Sequence, residues 1–191
     1  MLTRISSTGS EPVSVDDVKD AARVDNDLGA TSSLDGTIGT LIATARQHAE
    51  QLTGRVYRAG VMRVELQAWP AADQVLPVYR PSACEVRYWT GAGLTLLDGA
   101  AYAFAPGGPG GTGTLLAPAL GTGWPVLAQR AVGARVQVDL TVDAPEVADC
   151  VKTFITASVA AWLKTPEAIA SAALGPHPLF AGLLHGEALF A

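Results

Sequence analysis

Residues 34–68, LDGTIGTLIATARQHAEQLTGRVYRAGVMRVELQA, carry two different hydrophobic periods in one unbroken run. Before Gly54, the residues Leu34, Ile38, Leu41, Ile42, Ala45, Ala49 and Leu52 recur at steps of three and four, the spacing of one helix face. Gly54 is the stop signal, flanked by Arg55 and Arg58, whose positive charge suits the negative end of the helix dipole. From Met62 the period falls to two. Met62, Val64, Leu66 and Ala68 alternate with Arg63, Glu65 and Gln67, which predicts a half-buried strand. The chain therefore changes from helical to β character close to Gly54.

Upstream, Ser14 is placed to cap a helix whose third residue is Asp17, with Val15, Val18 and Ala22 on one face. That helix should fail near Val24, where the polar run Asp25 to Ser33 begins. Downstream, short strands are predicted at Gln74–Leu76, Cys84–Trp89, Leu94–Leu97, Tyr102–Ala105 and Ala134–Val142. Pro77, Pro81, the glycines at 91 and 93, and the Asp98-Gly99 turn separate the earlier ones. Pro106 to Gly113 is rich enough in glycine to be a mobile loop, either an exposed hairpin tip or a segment ordered by a neighbouring subunit. Pro145 suits the first position of a long helix bearing Val147, Val151, Phe154, Ile155, Ser158, Val159 and Trp162, and Pro166 ends it. A short helix from Pro166 to Leu174 should then stop at Gly175.

The expected fold is α+β: mainly an α-helical bundle, made of N-terminal helices and a long C-terminal helix, with a small antiparallel β-sheet inserted. It is read as a single domain, 1–191, with helices in 12–55, a β-rich insertion in 56–143 containing the 106–113 loop, helices in 145–174 and an apolar tail in 175–191. At 191 residues one core is comfortable.

Composition removes several functions. Charged residues make up 16% of the chain and apolar ones 49%, lean in charge for a free monomer, so some apolar surface is expected to meet other subunits. A formal charge of -5, with the basic residues scattered singly, argues against gripping nucleic acid. Met1–Ser10 has no apolar core behind Arg4, so no signal peptide is expected, and no apolar run reaches the roughly 18 residues of a membrane span. Cys84 and Cys150, the two cysteines, are expected to be free.

No catalytic, cofactor or metal residues are assigned. Gly108, Gly110 and Gly113 spell a G-x-G-x-x-G pattern, but Pro109 interrupts it and no helix follows. Asp25, Asn26 and Asp27 begin like a calcium loop, yet Gly36 stands where the bidentate Glu belongs. His48, His177 and His185 lack ligand spacing, and no Ser occupies a nucleophile elbow. Trp69, Tyr88, Trp89, Tyr102, Trp124 and Trp162 read as core and interface anchors. The remaining alternatives are a small enzyme whose site is assembled only in three dimensions, or a DNA-handling module.

Several blocks resemble a known family in their order. Residues 11–19, EPVSVDDVK, then Ala22-Arg23-Val24-Asp25, Leu41-Ile42-Ala43, Ala45-Arg46, Ala49-Glu50 and Thr53-Gly54-Arg55 resemble the opening of head-to-tail connector, or adaptor, proteins of long-tailed phages and gene transfer agents. Leu76-Pro77, Arg80-Pro81, Val86-Arg87-Tyr88, Gly123-Trp124-Pro125 and Ala144-Pro145-Glu146 continue the likeness, while the glycine-rich loop and the tail after Pro166 depart from it.

The resemblance implies a structural protein of the virion or particle neck, assembled in a bacterial cytoplasm. About twelve copies would form a ring between the portal protein and a tail-side stopper or connector, and DNA would pass through the lumen without specific binding. No membrane contact is implied. At -5 per chain, such a ring carries roughly -60, a poor holder of DNA. The apolar tail residues Leu179, Phe180, Leu183, Leu184, Leu189 and Phe190 are expected to dock on the portal, the alternative being that the tail folds back on its own helix.

Overall fold

In the computed structural model Ser14 does cap the first helix, α1 (Val15–Ala22), through a reciprocal pair of hydrogen bonds. The Asp17 amide donates to Ser14 Oγ at 3.1 Å, and the Ser14 amide donates to an Asp17 carboxylate oxygen at 3.0 Å. The structure describes residues 1–23, 31–71, 74–107, 113–143, 145, 147–164 and 182–188. The Asp25-Asn26-Asp27 run, Gly108 and Gly110, the short helix expected at Pro166–Leu174, His177 and the tail residues Leu179, Phe180, Leu189 and Phe190 lie outside the described residues.

Packing divides the chain into two compact units, Met1–Gly9 with Arg58–Pro145, and Ser10–Tyr57 with Glu146–Ala191. The second is helical. Its helix α2 (Thr31–Thr53) ends at Gly54, whose φ of 71° lets its amide turn back to the Glu50 carbonyl at 2.8 Å. With α3 (Asp149–Lys164), α1 and α2 enclose one core of Val18, Ile38, Leu41, Ile42, Ala45, Ala49, Tyr57, Val151, Phe154, Ile155, Val159 and Trp162. Apart from Tyr57, which follows α2, these are residues that the three- and four-step spacing had selected, because a helix buries one stripe. Arg46, only 3% exposed, is neutralised by Glu11 at 2.7 Å and Glu50 at 2.6 Å, and so ties the segment before α1 to α2. The last helix starts at Asp149, not at Pro145 as expected. Val147 and Ala148 instead pack against the core ahead of the helix, and the Ala148 carbonyl accepts the first helical bond.

The other unit overturns the expectation of a mainly helical bundle carrying one small inserted sheet. Among the described residues it holds eight strands in two antiparallel sheets. The strands are β1 (Leu2–Ser7), β2 (Gly60–Leu66), β3 (Val75–Leu76), β4 (Ala83–Trp89), β5 (Leu94–Leu96), β6 (Tyr102–Pro106), β7 (Thr114–Pro118) and β8 (Val136–Val142). The larger sheet runs β1-β2-β8-β4-β5 and the smaller β3-β7-β6.

Register explains the β character. Val64, Val138 and Val86 lie in one row across β2, β8 and β4, flanked by the row Met62, Leu140 and Cys84. Val138, Val86 and Leu140 are fully buried, so the alternation of period two serves one inner face. Leu76, Val78 and Leu116 are equally buried, and Tyr102 Oη on β6 donates to the Cys84 carbonyl on β4 at 2.6 Å, joining the two sheets.

β1 was missed for a reason. Five of its six residues are exposed, and its register shifts between Arg4 and Ser6, so a bulge removes the alternation a half-buried strand displays. Gly113, which had completed the apparent dinucleotide pattern, has φ of 151°, and a Cβ there would sit 2.4 Å from the Leu76 carbonyl oxygen. Close approach of β7 to β3 accounts for this glycine without a ligand.

Candidate interaction surfaces

The outer face of the larger sheet is a charge network rather than an open site. Arg63 on β2, Asp139 on β8 and Glu85 on β4 stand in one cross-strand row. Arg63 grips both Asp139 oxygens, at 2.6 and 2.7 Å, and Arg87 adds a third bond at 2.7 Å. Burial alone would raise the Asp139 pKa, but the bonds and charges of Arg63 and then Arg87 outweigh it and hold the carboxyl below its ordinary range.

A depressed carboxyl contributes stability above its unfolded pKa, and the contribution is lost as pH falls through the folded value. Asp139→Asn should therefore cost about 2 kcal/mol near neutrality, moderated because both arginines keep some solvent contact. It should also flatten the stability curve below about pH 4. Urea melts of both proteins at pH 7 and pH 3 check this; parallel losses at the two pH values would refute it.

Residues 119–135 join β7 to β8 without helix or strand, a connection longer than the roughly 12–15 residues beyond which such loops are uncommon in compact domains. Side chains from β4 and from the end of β2 hold it. Trp69 stacks on Trp124 with ring centres 4.4 Å apart, and its indole N–H donates to the Pro125 carbonyl at 2.7 Å. The Trp89 indole donates to the Gln129 carbonyl, and the Arg130 guanidinium lies 4.5 Å over the Trp89 ring while donating to the Ala134 carbonyl. Arg135 donates to the Leu127 and Ala128 carbonyls.

Leu120, Val126 and Val132 on this loop are 104%, 91% and 83% exposed. The aromatic residues were expected as anchors, and three tryptophans do anchor this loop, while Trp162 lies in the helical core. The exposed aliphatic residues between them were not singled out from the sequence. The available signal was a string of turn formers with Leu120, Val126 and Val132 in no period.

Of the six tail residues expected to dock, Leu183 and Leu184 are described. They lie in a 3-10 turn, Gly182–Glu187, held to α2 and α3, where Leu184 is 2% exposed within the helical core and Leu183 is 39% exposed. Glu187 pairs with Arg55 at 3.1 Å.

Other chemistry finds little support in the described residues. Cys84 and Cys150 are unpaired thiols, and burial pushes the Cys84 thiol up to about 12, far from a reactive thiolate. His48 meets the edge of Trp162 with ring centres 6.0 Å apart. Among the described residues no cluster of His, Cys, Asp or Glu is arranged to hold a metal ion, and no helix is long and apolar enough to cross a membrane.

No protein-family model and no curated protein matches the chain. Solved structures do. A chain in the neck of an empty gene transfer agent (GTA) particle computed with C6 symmetry is similar at 20% identity and a TM-score of 0.67, covering 86% of this chain and 84% of that one. A chain in the virion of a native gene transfer agent particle is similar at 19% identity and a TM-score of 0.65, covering 86% and 84%. A chain in the neck of a native particle computed with C12 symmetry gives 20% and 0.59, covering 86% and 83%. The two sheets and three helices thus form a fold also found in gene transfer agent particles, which agrees with the family that the sequence blocks resemble.

Proposed function

We propose that this protein is a structural subunit of the neck of a phage-type or gene transfer agent particle, and not an enzyme. In this reading it is an adaptor that forms a ring of about twelve copies between the portal and a tail-side stopper or connector, with DNA passing through the lumen. The observation that carries the reading is the likeness of fold to neck chains over 86% of the sequence, reached independently of the N-terminal block that resembles connectors. A ring needs contacts in which one surface meets a different surface of the next copy. The exposed apolar residues of the 119–135 loop supply material for such contacts.

Light scattering on the purified chain, alone and mixed with its portal, tests this. The 19.7 kDa chain should appear in a species of roughly 240 kDa for about twelve copies, alone or on the portal. A monomer indifferent to the portal would refute the ring.

The apolar tail remains our choice for the portal contact, and the described turn refines how to test it. Removing the whole tail would also remove Leu184 from the helical core, so point variants discriminate better. Leu184→Ala should lower stability by about 2–4 kcal/mol in a urea melt. Leu183→Asp should leave the melt within about 0.5 kcal/mol of the parent, as surface changes do, yet abolish joining to portal-bearing capsids. Normal joining by a folded Leu183→Asp protein would remove Leu183 from the contact.

A further inference from the structure

Between Asp98 and Asp139 the chain contains no Asp or Glu, and its two charged residues are Arg130 and Arg135. The β unit as a whole holds seven basic and six acidic residues, a formal +1, whereas the helical unit holds six basic and twelve acidic residues, a formal -6. All of the chain's negative excess therefore sits in the helical unit. There Asp16, Asp17 and Asp20 of α1 are exposed, as is Asp149 at the start of α3.

We propose that the 119–135 loop docks on a second copy of this chain, against the acidic helical unit of that neighbour. The inference rests on the ring reading and adds to it the surfaces that meet. Three observations favour this occupant.

The first is exposure. Leu120, Val126 and Val132 on one loop present nearly all their surface to water, and apolar side chains left outside the core supply material for a contact. The second is preorganisation. The stack of Trp69 on Trp124, the Arg130–Trp89 pair and the Arg135 bonds to Leu127 and Ala128 fix the loop before any partner arrives, so little conformational entropy remains to be lost on binding.

The third observation is charge. Two copies meeting loop to loop would bring Arg130 towards Arg130 with no carboxylate in the stretch to relieve it, and the isologous pair would close as a dimer. Meeting the helical unit instead sets Arg130 and the apolar tips against a unit with twice as many acidic as basic residues, in which Asp16, Asp17, Asp20 and Asp149 are exposed. That unit also offers the partly exposed Leu52 as an apolar contact. One surface then meets a different one, the arrangement that propagates around a ring.

The test uses the full chain. A photo-crosslinking amino acid is placed at Val126 or Val132, isotopically light and heavy chains are mixed and irradiated, and light–heavy crosslinks are mapped by mass spectrometry. Links from the loop of one copy to residues 10–57 or 147–188 of the other are expected. Loop-to-loop links, links to the neighbour's β unit, or no links in a sample that light scattering shows to be a ring would overturn this inference and leave the ring standing. A sample that stays monomeric, alone and with the portal, would overturn the ring and this contact together.

In parallel, Val126→Asp with Val132→Asp should retain the parental melting curve, since both side chains face water. It should raise the protein concentration needed for assembly at least tenfold, and unchanged assembly of that variant would also overturn the inference.

Discussion

Replacing Ile42 by Asp is expected to unfold the helical unit. Ile42 is 2% exposed and packed among α1, α2 and α3, where water cannot reach a carboxylate. Losing the aliphatic side chain from the core removes about 2–3 kcal/mol, and burying a carboxyl with no partner adds about 1–3 more even in its protonated form. The sum rivals the roughly 5–15 kcal/mol that holds a whole domain together. Amide exchange should show protection lost through α2 and α3, and circular dichroism should show the cooperative helical melt gone. Ile42→Val, which keeps the shape and removes one methyl group, should cost only about 1 kcal/mol. A cooperative, protected Ile42→Asp protein would mean that this face of α2 is not the core face.

The second large effect is expected at Gly113, where β7 leaves the glycine-rich segment and pairs with β3. A side chain there would place Cβ 2.4 Å from the Leu76 carbonyl oxygen and 2.6 Å from Val75 Cγ1, and the first of these neighbours is backbone. Gly113→Val must therefore separate β3 from β7 or distort both, on top of a φ of 151° that a β-branched residue resists. We expect a loss of about 3–5 kcal/mol, combining overpacking with backbone strain.

Gly121→Ala is the control, because Gly121 has a left-handed φ of 80° but open space around it. It should cost about 1 kcal/mol, the conformational part alone. Equal losses in the two variants would show that the close approach at Gly113 contributes nothing.

The helices were legible because each depends on neighbours along the chain. Ser14 and Asp17 are three residues apart, and the stripe from Leu34 to Ala49 needs only its own spacing to define a buried face, although Leu52, at the end of the expected stripe, is 44% exposed. Six of the eight strands among the described residues were legible singly, and the sheets were illegible as a whole. β8 lies between β2 and β4, joining residues 60–66 to 136–142 and 136–142 to 83–89, and no local period encodes such pairings. Six short strands scattered among turns therefore read as a small insertion in a bundle, when with β1 and β7 they make two sheets around an interior of their own.

The interaction surfaces divide in the same way. An apolar tail was visible in composition, but Leu183 and Leu184 are adjacent leucines of identical hydropathy, and only the packing of the turn on α2 and α3 sends one into the core and leaves the other at the surface. The tryptophans were visible as anchors. That Trp69, Trp89 and Trp124 brace one loop, with Leu120, Val126 and Val132 left facing water, depends on contacts between residues as far apart as 69 and 125.

By itself the sequence determined the cap of the first helix and the stop of the second, which residues alternate, that the chain is acidic and short of charge, and that it lacks the spacing of known catalytic or metal motifs. Those are properties of neighbours along the chain, fixed by backbone geometry and by the free energy of hiding apolar side chains from water. Only the tertiary structure decided the order of the strands, the partners of Asp139, the role of Gly113 and which apolar residues remain outside. Each of these depends on which distant segments meet, and that choice follows from the packing of the whole chain rather than from any window of it.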